Sequence, residues 1–100
     1  MGRLELSRHA QSRVNQRGVQ MQTLRILLDT AEQAVCVGGG CSAVSLSRSQ
    51  IQDADLRREH GGRLDRMARL KVICADDTGE IVTVMIDRNG RDGRRYRRRR

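Results

Sequence analysis

His9, Arg13 and Arg17 stand four residues apart in SRHAQSRVNQRG, residues 7–18. On a helix, residues at i and i+4 share one ridge, so this spacing would present an imidazole and two guanidinium groups side by side. Imidazole takes or gives a proton near neutral pH. Guanidinium stabilises charge growing on a phosphate without losing its own proton. Cleavage of RNA by its own 2′-hydroxyl draws on this combination and needs no metal. A plain solvated helix can carry the same spacing, so the ridge alone leaves both readings open.

The other reactive residue types have simpler explanations. His60 ends DLRREHGG, where a histidine in a last helical turn favours the helix dipole. Cys36, Cys41 and Cys74 contain no CxxC pair and read as small core residues rather than zinc ligands. A Cys36–Cys41 bridge would require the two to be directly opposed across a hairpin. Asp53 with Asp55, and Asp76 with Asp77, are accounted for by caps and turns. Gly38–Gly40 lacks the Lys-Ser/Thr that follows a phosphate-binding glycine loop and reads as a flexible turn. No metal and no cofactor is expected.

Charge points to a polyanion. The chain of 100 residues carries a formal net charge of +8, and nineteen of its twenty basic residues are arginine. The excess sits at the end: residues 88–100 hold eight arginines and one acid, Asp92. Arg88, Arg91, Arg94, Arg95, Arg97 and Arg98, with Tyr96 among them, are the residues expected to hold a nucleic-acid backbone. Tyr96 is the one aromatic residue, which argues against base stacking and for phosphate-dominated, shape-tolerant binding. A solubilising end with weak, salt-sensitive contacts has the same composition.

The elements that must position these groups follow from period and punctuation. Ser7 is an N-cap, Leu6, Ala10 and Val14 repeat every four residues, and Gly18 stops the run, which predicts a helix over 7–17. The apolar line lies about 100° round from the His9 ridge, so the helix can bury one side and hold the ridge at the border. Leu24, Leu27, Leu28 and Ala31 predict a second helix, joined by a short link and expected to pack against the first as a hairpin. AVCVGGGCSAVSLS predicts a β-hairpin turning at Gly38–Gly40. SRSQIQDADLRREHGG predicts a helix with a Ser49–Gln52 capping box, ended by Gly61–Gly62, and RLDRMARL is ambiguous between helix and strand. RLKVICADDTGEIVTVMID predicts a second hairpin around Asp-Asp-Thr-Gly, both strands apolar on both faces as central strands are. The expected fold is α+β in the order α-α-β-β-α-β-β, a four-stranded, mostly antiparallel sheet packed by helices. Residues 1–90 would form one domain and 91–100 a basic tail. The core must be aliphatic. No stretch approaches a membrane span, the N-terminus has no secretory h-region, and three cysteines argue against a disulfide framework, so a cytoplasmic location is expected.

HAQSRVNQRGV resembles the HAxxRxxQRGI opening of a widespread bacterial family of small domains grouped with the RelE-like and barnase-like ribonuclease toxins. The parts that follow keep the family's order: LRILLDTAEQA, VCVGGGCSAVSLS, SQIQDADLRREHG, VICADDTGEIVTVMIDR and the arginine-rich end. The resemblance matches His9, Arg13, Arg17, Gly18, Thr83 and Arg88 to the family's polar positions. It implies a RelE/barnase-like fold and a function on RNA or the ribosome, in its strongest form metal-independent ribonuclease chemistry held in check by an acidic antitoxin. His9 would then act as general acid or base, Arg13 and Arg17 would hold the scissile phosphate, and Gly18 and Thr83 would support them. Gln20 departs from the pattern, standing where the family often starts its second helix with Ser, Thr or Pro. The alternatives are a non-catalytic nucleic-acid or ribosome-binding module, and a protein-interaction domain with an acidic partner.

Overall fold

The computed structural model describes residues 4–86. Five helices and four strands are seen there: α1 Arg8–Arg17, α2 Met21–Thr30, β1 Gln33–Gly38, β2 Cys41–Ser45, α3 Arg48–Ile51, α4 Ala54–His60, α5 Gly62–Ala68, β3 Leu70–Ala75 and β4 Ile81–Ile86. The strands form one antiparallel sheet in the order β1-β2-β3-β4. The α+β class and the four-stranded antiparallel sheet are as expected from the sequence.

α1 begins where its cap dictates. The Ser7 hydroxyl accepts the Ala10 N–H at 3.1 Å and donates to the Val82 carbonyl at 2.8 Å. One side chain therefore starts the helix and ties it to β4. The main chain reinforces the tie: Ser7 N–H donates to Ile81 O at 2.9 Å, and Ile81 N–H donates to Glu5 O at 2.8 Å. Leu6 and Ile81 form an isolated parallel bridge there. At the other end Gly18 takes φ +65°, with its N–H directed to Asn15 O and that of Val19 to Val14 O. This is a Schellman turn, which glycine adopts without the steric cost of a Cβ.

The hairpin turns also follow local chemistry. Gly39 and Gly40 have φ of +63° and +73°, the left-handed pair that matches strand twist at a tight turn. The Asp76–Gly79 loop closes with Gly79 N–H on Ala75 O at 2.8 Å.

Four expectations are corrected. The single third helix expected to end at Gly61–Gly62 is two short ones, α3 and α4, and the ambiguous RLDRMARL contributes most of a further helix, α5. The capping box is Ser47 with Gln50, not Ser49 with Gln52, and the helix breaks because the Asp53 carboxylate caps a new one at Asp55 and Leu56 N–H. α1 and α2 do not form a packed hairpin: α1 packs chiefly on β4, and α2 on α5 and β2. Finally, β3 is central but β4 ends the sheet. Its Ile81 and Val84 are nonetheless buried, because α1 and the segment before it cover that flank where a further strand would otherwise lie.

One aliphatic core joins these layers. Leu70, Val72, Ile81 and Val84 of the sheet meet Ala10 and Val14 of α1, Leu24 and Leu27 of α2, and Leu64 and Met67 of α5. Burial of these side chains, each contributing about 1.5–3 kcal/mol for the larger aliphatics, supplies the driving force that aromatics usually share.

Candidate functional site

Burying Ala10 and Val14 leaves the adjoining border of α1 beside β4. His9, Arg13 and Arg17 line a groove of about 320 Å³ whose other wall is Thr83–Ile86. The sequence ridge and Thr83, far apart in the chain, thus share one concavity. His9 and Arg17 are exposed and Arg13 is half-buried. The Arg13 Nε–H donates to His9 Nε2 at 3.4 Å. That bond requires Nε2 to be the unprotonated ring nitrogen, the form in which it accepts a proton. At this length and on the surface it is weak, so a phosphate oxygen entering the groove can draw Arg13 away and free the lone pair.

Gly18 does not touch that groove. It fixes where α1 ends, hence where Arg17 points, and lines a second cleft instead. Arg88, Arg91, Arg94, Arg95, Tyr96, Arg97 and Arg98 lie outside the described residues. The chain reaches them from Ile86, which lines both the groove and the second cleft.

The groups set aside from chemistry stand apart from the groove. His60 is the half-buried last residue of α4. Cys36 opposes Ser42 and Cys41 opposes Gly38, so Cys36 and Cys41 are not cross-strand partners. The three thiols are free, and the expectation that they are buried core residues is corrected: Cys36 is exposed, and Cys41 and Cys74 are half-buried. Burial, then the neighbouring Cys41 and Asp76, push the Cys74 thiol above its ordinary value. Asp53 caps α4, and Asp76 accepts the Ser42 hydroxyl at 2.6 Å. Among the described residues no group of three or more His, Cys, Asp or Glu side chains is placed to hold a metal ion.

The second cleft, also about 320 Å³, lies across Arg17 from the first. It is bounded by Gly18 and Gln20 before α2, Thr23 in the first turn of α2, and Arg66 and Arg69 at the end of α5. Sequence reasoning singled out none of Thr23, Arg66 and Arg69. The i, i+3 spacing of Arg66 and Arg69 in RMAR was the available signal, hidden because that stretch was not assigned to a helix.

Fold and groove together define an α+β domain with a basic, histidine-bearing groove between its first helix and the last strand of its sheet. Compared with protein-family models, curated proteins and solved structures, the chain matches none. No helix among the described residues is long and apolar enough to cross a membrane.

Proposed function

We propose that the chain is an RNA-binding domain and that the groove along β4 is a site of metal-independent RNA cleavage. The supporting observation is that His9, Arg13, Arg17 and Thr83, from two elements distant in sequence, line one groove at the point where the chain leads into its arginine-rich end. His9 Nε2 takes the proton of a ribose 2′-hydroxyl, and the oxygen attacks the adjacent phosphorus. The bond from phosphorus to the 5′-oxygen breaks, that oxygen leaves with a proton from water, and the hydroxide so formed takes back the proton held by His9. The products are a 2′,3′-cyclic phosphate and a 5′-hydroxyl. Arg13 and Arg17 hold the phosphate and neutralise the charge that builds on its oxygens, and the Thr83 hydroxyl helps orient it. The tail residues Arg88, Arg91, Arg94, Arg95, Tyr96, Arg97 and Arg98 hold the flanking backbone. The reading carries with it a RelE/barnase-like fold, supported by two helices ahead of a four-stranded antiparallel sheet, and an acidic antitoxin as protein partner.

One observation favours a second reading, a non-catalytic nucleic-acid or ribosome-binding module: the His9 lone pair is already engaged by Arg13. Growth after induced expression separates the two. The ribonuclease reading expects arrest with the wild type, relieved by His9→Ala and by Arg13→Ala in proteins that remain folded. Equal growth of all three, with equal retardation of RNA by wild type and His9→Ala, would assign the chain to the binding module.

A further inference from the structure

A further cavity lies at the end of the sheet where β1 and β3 begin and β2 ends. Its volume is about 510 Å³, within the roughly 300–1,000 Å³ typical of small-molecule sites. Gln33 of β1, Ser45 of β2 and Lys71 of β3 form one side. Lys71 sits between the core residues Leu70 and Val72, so strand alternation turns its side chain to the opposite face of the sheet. Across from it stand Arg48 of α3 and Gln52, which ends that helix. Leu46, Ile51 and Ala68 supply an apolar wall.

The charges here are unbalanced. No acidic residue lines the cavity, and neither Arg48 nor Lys71 forms an ion pair among the described residues. Arg48 is exposed to water, but Lys71 is half-buried, where a cation without a counter-ion is disfavoured. Two cations from separate elements therefore face one space and call for an anion. The remaining groups suit more than a bare phosphate. Gln33 Nε2–H reaches Ser45 Oγ only at 3.5 Å, too long a bond to hold the amide there. Each of the two carboxamides, Gln33 and Gln52, can donate or accept, so the pair can meet the polar edge of more than one base. An anion, a ring laid on an apolar wall and a hydrogen-bonding edge are the parts of a nucleotide.

The cavity joins the groove of His9 through one strand pair. Met85 lines the groove and is the cross-strand partner of Lys71, which lines the cavity. Such partners share a face of the sheet. From β4 to β2 is two strand spacings, about 10 Å, the span of a nucleotide or two. We infer that this cavity takes one nucleotide of the RNA strand whose scissile phosphate lies at His9, its phosphate between Arg48 and Lys71 and its base on Leu46, Ile51 and Ala68. The assignment to RNA rests on the function proposed above; the nucleotide chemistry rests on the cavity itself.

The test is a backbone-amide NMR titration of the full chain, first with adenosine 5′-monophosphate and then with a short single-stranded RNA made non-cleavable by 2′-O-methylation. The nucleotide should shift the Gln33, Arg48, Gln52 and Lys71 amides saturably, and inorganic phosphate should bind there more weakly, having no base to lay on the wall. RNA should shift these amides and also those around His9 and Arg13. Arg48→Gln and Lys71→Gln should each weaken nucleotide binding about tenfold, and Lys71→Arg should retain most of it. Arg58→Gln, which removes the same charge from α4 outside the cavity, should leave it unchanged. Equal weakening by Arg58→Gln would reduce the effect to net charge and overturn the site. So would inorganic phosphate that binds as tightly as the nucleotide. RNA that shifts the His9 and Arg13 amides and leaves the cavity unmoved would overturn it too; the proposed function would survive that result. Nucleotide binding in the cavity with no response to RNA anywhere would overturn the assignment to RNA here and the proposed function together.

Discussion

Arg17 shows how much of a site one residue type at one position can decide. It ends α1, stands beside a histidine–arginine pair on one side, and faces the bare start of α2 on the other. Its place was legible because a four-residue period and a following glycine are local signals. Thr83 came from the resemblance alone. Arg48 and Lys71 were not legible, because no common spacing links residues of α3 and β3. Gln50 was missed for a related reason. Its Oε1 accepts from Glu32 N–H at 3.0 Å and Ser47 N–H at 3.1 Å, and its Nε2 donates to Thr30 O at 2.6 Å. One 7%-exposed side chain thus clasps the α2–β1 junction to the start of α3. Gln50→Leu strands all three main-chain groups and should destabilise the domain by about 2–3 kcal/mol, read by urea unfolding. The cysteines separate by exposure. Cys36 should react first with a maleimide at neutral pH and Cys74 last, as mapped by mass spectrometry. Because the native Cys74 thiol is shifted upward, its contribution to stability is complete below the ordinary thiol range and is lost as pH rises through the native value.

At the scale of elements, those with strong punctuation were foreseen and those with competing punctuation were not. Ser7 and Gly18 bound α1, and the leucine period marks α2. Between residues 48 and 60, Asp53 interrupts what a weak apolar stripe suggested was one helix ending at Gly61–Gly62; α4 buries no residue at all. Asp53→Ala should therefore act locally. Amide exchange should speed across Ala54–His60, while the global unfolding midpoint falls by no more than about 1 kcal/mol of stability. Gly18 is different, since α1 must end there for Arg17 to face both cavities. A Cβ at Gly18 meets no heavy atom within 4 Å, so the cost of Gly18→Ala is conformational. It should be about 1 kcal/mol in thermal unfolding, with weaker RNA binding through the displaced Arg17.

For the whole molecule, the uneven charge makes affinity and chemistry separable. The sheet, the helices and the groove belong to residues 4–86, while the excess charge belongs to the end of the chain. Deleting Gly93–Arg100 removes six arginines. It should abolish most RNA affinity at physiological salt and flatten the dependence of log affinity on log salt, by up to about four units if all six meet phosphates. Unchanged binding would remove the tail from the account and leave the groove to act alone.

The most direct test of that groove is incubation of purified chain with single-stranded RNA in the presence of a metal chelator, with the product ends identified. The account predicts fragments ending in 2′,3′-cyclic phosphate from the wild type, and none from His9→Ala, which should still retard the RNA in a gel. Cleavage by His9→Ala at the wild-type rate, or intact RNA under a wild-type chain that binds it, would contradict the account.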